Sequence, residues 1–196
     1  MPGPLEGYKV LELTSTVSGP FASMMLADQG ADVVKVEPPG IGDLARFMGT
    51  IKSGIGAMFT VLNRNKKCIC LDFKNPEDFE VLKKLIQETD VLIENYRPGV
   101  VKKLGIDYDS AVKLNQEIIY CSISGYGQSG PYKERKVYDP LIQATAGTAA
   151  AQSSKNPEFF KTIVFDKVTA LTAAQSITSA LLQKERIGKG QYIPIS

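Results

Sequence analysis

Short aliphatic runs of strand length recur along the chain, and longer stretches with helical periodicity separate them. The runs cover residues 9–13, 32–36, 68–71, 90–94, 118–122 and 191–195. Apolar runs of this length, bounded by turn residues, are typical of strands that are buried on both faces. Their alternation with helices predicts the α/β fold class, with an open, mostly parallel sheet that carries helices on both faces.

Three helices are predicted between these strands. The first begins near Pro20 and ends near Gly30, and the last covers the alanine-rich residues 168–182. The second has Asn75 as its N-cap and Pro76 at its first position, which are preferred residues at these places. An apolar stripe then follows at helical spacing, formed by Phe79, Leu82, Leu85 and Ile86.

A glycine-rich loop follows the run at residues 118–122. It contains Gly125, Gly127 and Gly130, and Pro131 comes directly after them. Glycine permits positive φ angles and lets the backbone approach a bound molecule closely, so the pattern is typical of a ligand site at a strand end. A plain turn that ends at Pro131 explains the same residues. The pattern alone leaves both interpretations open.

Composition narrows the functional classes. A chain of 196 residues predicts about one domain, and the net charge of +2 predicts neither nucleic acid nor a membrane surface as partner. No apolar run reaches the length that spans a bilayer. The N-terminal residues lack the basic and apolar regions of a secretory signal, so we expect a cytoplasmic protein.

The chain contains no histidine, which excludes a Ser-His-Asp triad, a Cys-His pair and any His-ligated zinc. Catalysis then depends on carboxylate, Lys, Tyr, Cys or Ser side chains. The cysteines Cys68, Cys70 and Cys121 have no metal-binding spacing, and we interpret all three as reduced core residues. No metal site is expected.

The loop after the first strand lacks the GxGxxG fingerprint, which disfavours a dinucleotide dehydrogenase. It still lies at the carboxyl end of a strand, where open α/β sheets bind ligands. Basic residues at other strand boundaries are candidates for phosphate contacts, and solvated surface is the alternative interpretation. These residues are Arg64, Lys66, Lys67 and Arg97, and Tyr96 is a candidate for stacking on a base.

Asp166 is the carboxylate with the greatest chemical interest. It follows the apolar residues 162–165 and precedes the alanine-rich helix. One interpretation is an N-cap whose side chain accepts a hydrogen bond from the amide of Val168 or Thr169. In the other, the helix N-terminus keeps the carboxylate ionised, and it attacks an activated acyl group as a nucleophile without a general base.

Taken in order, these segments resemble the family III CoA-transferases, also called the CaiB/BaiF type. The matching segments are residues 4–13, 19–20, 26–40, 42–43, 46, 63–67, 71–72, 90–99, 124–132, 166 and 185–191. The resemblance implies that residues 1–196 are the N-terminal part of a Rossmann-like, CoA-binding large domain. The family's small domain and C-terminal return to the large domain are absent from this chain.

By this resemblance, CoA passes from an acyl-CoA donor to a carboxylic acid acceptor, and Asp166 is the catalytic residue. Its carboxylate forms a mixed anhydride and then an aspartyl-CoA thioester, with no tightly bound cofactor. Relatives are two chains interlinked like rings, which implies a homodimer or pairing with a complementary C-terminal half.

The resemblance also implies a set of CoA contacts. They fall on Val17, Ser18, Pro38, Leu71, Lys74, Asn95, Tyr96, Arg97, Lys103, Ser124, Gly125, Tyr126 and Gly127. Some relatives carry arginine where this chain has Pro38. We therefore expect Arg97 or Lys103 to supply the cation for the adenosine phosphates.

Three alternatives stay open at this point. A racemase of the α-methylacyl-CoA type uses a histidine directly before an aspartate, but Tyr138 stands before Asp139 in this chain. That branch would therefore lack one of its two bases. The chain can also be a non-catalytic CoA-binding or assembly fragment, or a plain α/β nucleotide binder.

Overall fold

A computed structural model of the protein describes residues 2–153 and 155–196, and in this part eight strands are present. They are β1 Lys9–Leu13, β2 Asp32–Glu37, β3 Ile51–Lys52, β4 Ile55–Gly56, β5 Lys66–Cys70, β6 Val91–Glu94, β7 Ile119–Ile123 and β8 Tyr192–Ile195. Six of them form a parallel sheet in the order β5-β2-β1-β6-β7-β8, whereas β3 and β4 form a separate antiparallel hairpin. The predicted open, parallel sheet is confirmed.

Helices cover both faces of this sheet, as predicted. They are α1 Ser18–Asp28, α2 Ala57–Leu62, α3 Pro76–Glu88, α4 Val100–Leu104, α5 Tyr108–Leu114, α6 Asp139–Thr145, α7 Thr148–Ala151 and α8 Val164–Ile187, and a 3-10 turn spans Leu44–Phe47. Helices α1 and α8 pack on one face of the sheet, and α3, α4 and α5 pack on the other. No helix of the described part is long and apolar enough to cross a bilayer.

The N-cap, the first-turn proline and the apolar stripe of α3 are found where they were predicted. The Asn75 side chain accepts a hydrogen bond from the Glu77 amide at 2.9 Å, and Pro76 opens the helix. Of the apolar stripe, Leu82 and Ile86 are fully buried against the sheet. Because each signal lies within the segment itself, the sequence was sufficient to place this helix.

Helix α8 differs from its prediction, because it begins at Val164 rather than at residue 168. It ends where Gly188 adopts a left-handed conformation with φ 64°, which is a common way to close a helix. Its buried face is rich in small side chains, namely Ala170, Ala173, Ala174 and Ala180. These side chains let the helix axis approach the sheet closely.

The cysteine interpretation is correct for one residue and wrong for two. Cys121 is buried in β7, but Cys68 and Cys70 are exposed. Both lie on β5, which is an edge strand and has a neighbour, β2, on one side only. Alternation along a strand does not reveal whether that strand lies at the centre or the edge of a sheet.

The chain changes direction at the centre of the sheet, between the neighbouring strands β1 and β6. Helix α1 follows β1 on one face, whereas α4 follows β6 on the opposite face. The two connecting loops therefore separate at the carboxyl edge. In open α/β sheets, such a point is the usual position of a ligand crevice.

Candidate active site

The carboxyl edge of the sheet brings the predicted contact residues together. Val17 and Ser18 follow β1, Pro38 follows β2, Leu71 and Lys74 follow β5, Asn95, Tyr96 and Arg97 follow β6, and Ser124, Gly125, Tyr126 and Gly127 follow β7. Lys103 lies slightly further along, within α4. Because these strands are parallel, their carboxyl ends share one edge, and residues from distant parts of the sequence become neighbours there.

Asp166 lies in the first turn of α8 and faces the loop after β1. The N-cap of this helix is Ile163, so the N-cap interpretation of Asp166 is wrong. The Ser18 side chain lies close enough to the Asp166 carboxylate to lower its pKa. The structure thus brings a predicted nucleophile and a predicted CoA contact side by side.

The surroundings of Asp166 raise its pKa from 3.8 to about 6. Burial is the main cause, and the negative charge of Asp139 adds to it, whereas the nearby Ser18 hydroxyl acts in the opposite direction. The sequence suggested that the helix N-terminus would keep this carboxylate ionised at neutral pH, and it did not reveal that burial and Asp139 raise the pKa. At pH 7 roughly nine-tenths of the groups are ionised, so the carboxylate retains its nucleophilic form.

Asp139 and Gln143 form hydrogen bonds with the residues at the start of α8. Sequence reasoning did not identify this role. Both side chains are buried on α6. Asp139 Oδ2 accepts a hydrogen bond from the backbone amide of Asp166 at 3.0 Å, so an aspartate from another helix caps α8. This explains why α8 begins earlier than predicted, since no local side chain performs the capping.

The loop after β1 is held in an unusual conformation. Thr16 has a φ of 72°, which is strained for a residue with a branched side chain. Its amide donates to Asp43 Oδ1 at 2.8 Å. Asn95 bonds the backbone of Ser15 twice, since its Oδ1 accepts from the Ser15 amide and its Nδ2 donates to the Ser15 carbonyl, both at 3.0 Å. The Asn95 side chain therefore holds this loop.

Buried charges lie directly beneath that loop. The Lys35 ammonium lies 2.7 Å from Glu12 Oε1 and 2.9 Å from Asp43 Oδ2, and it donates to the Thr14 carbonyl. Lys66 lies 2.8 Å from Glu12 Oε2. Burial alone would raise the pKa of Glu12, but the two ammonium groups lower it to about 2. This cluster ties β1, β2 and β5 to the loop before α1.

Three of the four basic candidates for phosphate binding were wrong. Lys66 is buried against Glu12, while Arg64 pairs with Asp28 and Lys67 pairs with Asp32. All three lie at or before the amino end of β5, away from the ligand edge. Arg97 remains in place, and it is exposed in the loop after β6, as are Lys74 after β5 and Lys103 on α4.

The loop at Pro38 is held by an ion pair. Arg46 makes a bidentate contact with the Glu37 carboxylate through Nε at 2.7 Å and Nη2 at 2.6 Å. Its guanidinium also lies 3.8 Å from the centre of the Phe59 ring. Arg46 therefore orders this loop, and exposed Pro38 projects from it.

The glycine loop after β7 uses its glycines in two ways. Gly127 and Gly130 have positive φ angles of 81° and 88°, as expected. Gly125 does not, and a Cβ at this position would lie 2.1 Å from Cγ1 of Val137. The prediction of positive φ at Gly125 was wrong, because this glycine makes room for the segment that leads into α6.

Glu94, at the carboxyl end of β6, is a further buried acid that the sequence did not single out. Its Oε2 accepts a hydrogen bond from the Tyr96 amide at 2.8 Å, while Oε1 has no partner among the described residues. Burial raises the pKa of this carboxyl, and the Ser122 hydroxyl partly offsets that effect. Glu94 therefore helps to shape the loop that carries Asn95 and Arg97.

Within residues 2–153 and 155–196, no group of three or more His, Cys, Asp or Glu residues is arranged to hold a metal ion. The chemical groups that gather at the edge are one half-buried carboxylate, a hydroxyl, backbone loops and exposed cations. This set suits nucleophilic attack by a carboxylate on an activated acyl group beside a phosphate-bearing ligand.

Comparison with known proteins shows which family the chain resembles. The profile of CoA-transferase family III matches residues 5–196. The chain is 40% identical over 193 residues to the succinyl-CoA:glutarate CoA-transferase of Homo sapiens, covering 97% of this chain and 44% of that protein. It is also 40% identical over 192 residues to the formyl-CoA:oxalate CoA-transferase of Bradyrhizobium sp. (strain ORS 278). This match covers 96% of this chain and 45% of that protein.

The fold agrees as well. The crystal structure of a CAIB/BAIF family protein from Brucella suis superposes with a TM-score of 0.95 at 39% identity, and it covers 100% of this chain and 53% of that one. The chain therefore spans about half the length of the proteins that it matches. The profile match over nearly every residue shows that this chain belongs to CoA-transferase family III.

Proposed function

We propose that this chain is the CoA-binding, nucleophile-bearing part of a CoA-transferase, which moves CoA from an acyl-CoA to a carboxylic acid. The observation that carries this proposal is the position of Asp166, in the first turn of α8, beside Ser18 in the first turn of α1, at the carboxyl edge of the sheet. This edge is also where the loops with the family-matched contacts converge. Residues 1–196 then correspond to the N-terminal part of the large domain.

The reaction that we propose begins with attack of the Asp166 carboxylate on the thioester carbonyl. The C–S bond breaks, which leaves a mixed anhydride and CoA thiolate. The thiolate then attacks the aspartyl carbonyl, the bond to the anhydride oxygen breaks, and the acyl group leaves as its carboxylate, so an aspartyl-CoA thioester forms. The incoming carboxylate reverses these two steps with its own acyl group. Each step exchanges one activated acyl group for another, so no ATP is required.

For the adenosine phosphates we propose Arg97 and Lys103, two exposed cations after β6. They lie on the side of the crevice where the loop after β6 leaves the sheet, and Lys74 is exposed in the neighbouring loop after β5. Charge-assisted hydrogen bonds from such groups are a common means of holding phosphates. The two relatives named above act on the dicarboxylates glutarate and oxalate, and we propose a short dicarboxylic acid as the acceptor class.

We also propose that further polypeptide completes the active unit, either in a homodimer or as a complementary C-terminal half. The relatives are about twice as long as this chain. In addition, the chain exposes an apolar patch around the β3–β4 hairpin, formed by Ile41, Leu44, Phe47, Met48, Ile51, Ile55 and Val61. Large apolar side chains that are exposed together in one segment are typical of a surface that another polypeptide covers.

Hydroxylamine trapping tests the nucleophile. The full-length protein is incubated with an acyl-CoA and no acceptor, then treated with hydroxylamine, and the modified residue is located by mass spectrometry. We expect a hydroxamate at Asp166 and no transfer activity in Asp166→Ala. Labelling at another residue, or unchanged transfer in Asp166→Ala, would contradict the proposal.

The chief alternative is a CoA-binding or assembly component without catalysis, which the half-length match favours. Calorimetry with CoA and with 3′-phospho-ADP separates this component from a plain nucleotide binder. The two ligands share the adenosine 3′-phosphate and the diphosphate, so tighter binding of CoA shows that the pantetheine arm is recognised. CoA binding without any hydroxamate, in the presence of all partner chains, would favour the non-catalytic role.

A further inference from the structure

Two polar side chains of helix α6 are buried on the face that packs against α8. Asp139 is 6% exposed and Gln143 is 1% exposed. They are four residues apart and therefore lie on one face of the helix. Gln143 Nε2 donates a hydrogen bond to Asp139 Oδ1 at 2.5 Å. Because burial of polar groups is unfavourable unless they are bonded, the partners of this pair indicate what it does.

The other bonds of the pair all reach one short segment. Gln143 Oε1 accepts from the Phe160 amide at 2.8 Å, and Gln143 Nε2 also donates to the Thr162 carbonyl at 3.3 Å. Asp139 Oδ2 accepts from the Asp166 amide at 3.0 Å. The two side chains are therefore bonded to backbone atoms of the segment before α8 and of its first turn, and these bonds fix the position of that segment. The last of these bonds is made to the amide of the proposed nucleophile itself.

We propose that Asp139 and Gln143 are positioning residues for CoA transfer, which fix the first turn of α8 so that the Asp166 carboxylate faces Ser18 and the crevice. This inference rests on the proposed function of Asp166. The residues act through the backbone of Asp166 rather than on the substrate. Small errors in the position of a reacting group can reduce a rate by about two orders of magnitude, so loss of this clamp has a measurable effect.

Asp139 has a second effect through its charge. It lies close enough to Asp166 to add to the pKa increase that burial causes. Three groups on the other elements packed against α8 face it or flank it. The Ser18 hydroxyl on α1 lowers the pKa of Asp166, and Asp28 lies at the opposite end of α1. The buried thiol of Cys121 on β7 has its pKa raised to about 12 and is neutral. On α8 itself, the Lys167 ammonium donates to Thr162 Oγ1. A carboxylate of raised basicity is the better nucleophile toward a thioester.

Asp139→Asn in the full-length protein tests both effects. The new side chain retains an oxygen for the Asp166 amide, but it loses the charge and places an amide group against the Gln143 amide. We expect kcat to fall by about tenfold or more, KM for the acyl-CoA to stay within about twofold, and the acid limb of the pH profile to move to lower pH.

Gln143→Met separates position from charge. It removes the bonds to Phe160 and Thr162 and retains the Asp139 carboxylate. We expect a lower kcat with an unmoved acid limb. The double variant Asp139→Asn/Gln143→Glu restores a donor–acceptor match between the two side chains and leaves an acceptor for Phe160. It should recover a large part of the kcat that Asp139→Asn loses.

Asp109→Asn is the matched control, since Asp109 is exposed on α5 at the opposite face of the sheet. It should have the kcat and the pH profile of the wild type.

If the wild type forms no hydroxamate at Asp166, the proposed function fails. If the wild type is labelled there, but Asp139→Asn and Gln143→Met keep wild-type kcat and acid limb, the clamp is wrong and the function stands. Failure of the double variant to exceed Asp139→Asn also overturns the clamp.

Discussion

At the scale of single residues, Asp166 shows how position changes chemistry. A carboxylate in the first turn of a helix is stabilised by the helix dipole, and that reasoning predicted a group that is ionised at neutral pH with no increase in its pKa. In the folded chain, burial and the charge of Asp139 outweigh this effect and raise its pKa to about 6. The group is therefore stabilised in its protonated form by the fold, although function requires the ionised form.

This conflict predicts that Asp166→Asn stabilises the protein. The folded pKa lies above the unfolded value, so ionisation between pH 3.8 and about 6 destabilises the folded state, and the full effect is present at pH 7. Because Asp166 is only half-buried, we expect a gain of about 1 kcal/mol at pH 7 and little at pH 3.5. Urea unfolding at the two pH values measures it. An equal gain at both would show that charge is not the cause, and Asp109→Asn serves as control.

The buried cluster of Glu12, Lys35, Lys66 and Asp43 makes a different contribution. Removal of one partner from a buried group of charges leaves another charge uncompensated, which costs about 3–5 kcal/mol. The neighbouring residue Lys67 makes a surface pair with Asp32, in which the side chains are 70% and 48% exposed. Surface pairs of this kind contribute at most about 1 kcal/mol.

We therefore expect Lys66→Met and Lys67→Met to differ strongly, although the two residues are adjacent. Lys66→Met should lower the free energy of unfolding by about 3 kcal/mol or more, and Lys67→Met by less than about 1 kcal/mol. Chemical denaturation followed by circular dichroism measures both. Equal losses would mean that the Glu12–Lys66 pair is more accessible to water than the structure shows.

At the scale of elements, the strands and α3 were predictable because their signals are local. The six sheet strands begin within two residues of their predicted positions. The start of α8 was not predictable in this way, because its cap is the side chain of Asp139, which is distant in sequence. The same holds for the loop after β1, whose conformation depends on Asp43 and Asn95.

The glycine loop also depends on a contact that the sequence does not show. A Cβ at Gly125 would lie 2.1 Å from Val137. A Cβ at Gly130 would meet no atom within 4 Å, so the cost there comes only from the positive φ angle of that residue. Val137 is followed by Tyr138 and Asp139, so displacement of this segment disturbs the clamp on α8.

Gly125→Ala should therefore reduce transfer activity in the full-length protein by about tenfold or more. Gly130→Ala should instead cost about 1 kcal/mol of stability with smaller loss of activity. Steady-state rates and thermal unfolding of both variants decide this. Partial rescue of Gly125→Ala by Val137→Gly would identify the clash as the cause, and absence of rescue would exclude it.

At the scale of the whole molecule, several large apolar side chains around the β3–β4 hairpin are exposed. The apolar patch includes Phe47 and Ile51, with exposures of 57% and 56%. The chain also spans about half the length of its relatives. Both observations support our proposal that further polypeptide covers this surface in the active unit.

In isolation, this chain should self-associate through the apolar patch at roughly tens of micromolar. Phe47→Ser combined with Ile51→Ser should weaken the association, because it removes apolar area from the patch centre. Val81→Ser is the control, since Val81 is exposed on α3, outside the patch. Sedimentation velocity at several concentrations measures the effect. Association that persists in the double variant would place the contact elsewhere.

The sequence by itself determined the fold class, the strands, the capped start of α3, the exclusion of histidine chemistry and the order of motifs that identifies the family. These features depend on local periodicity or on residue identity, both of which are present in the unfolded chain. Only the tertiary structure decided which residues meet. The proximity of Ser18 to Asp166, the remote cap from Asp139, the burial of Lys66 and the exposure of Cys68 all arise between distant segments. Burial, and with it the pKa of Asp166, exists only after those segments pack.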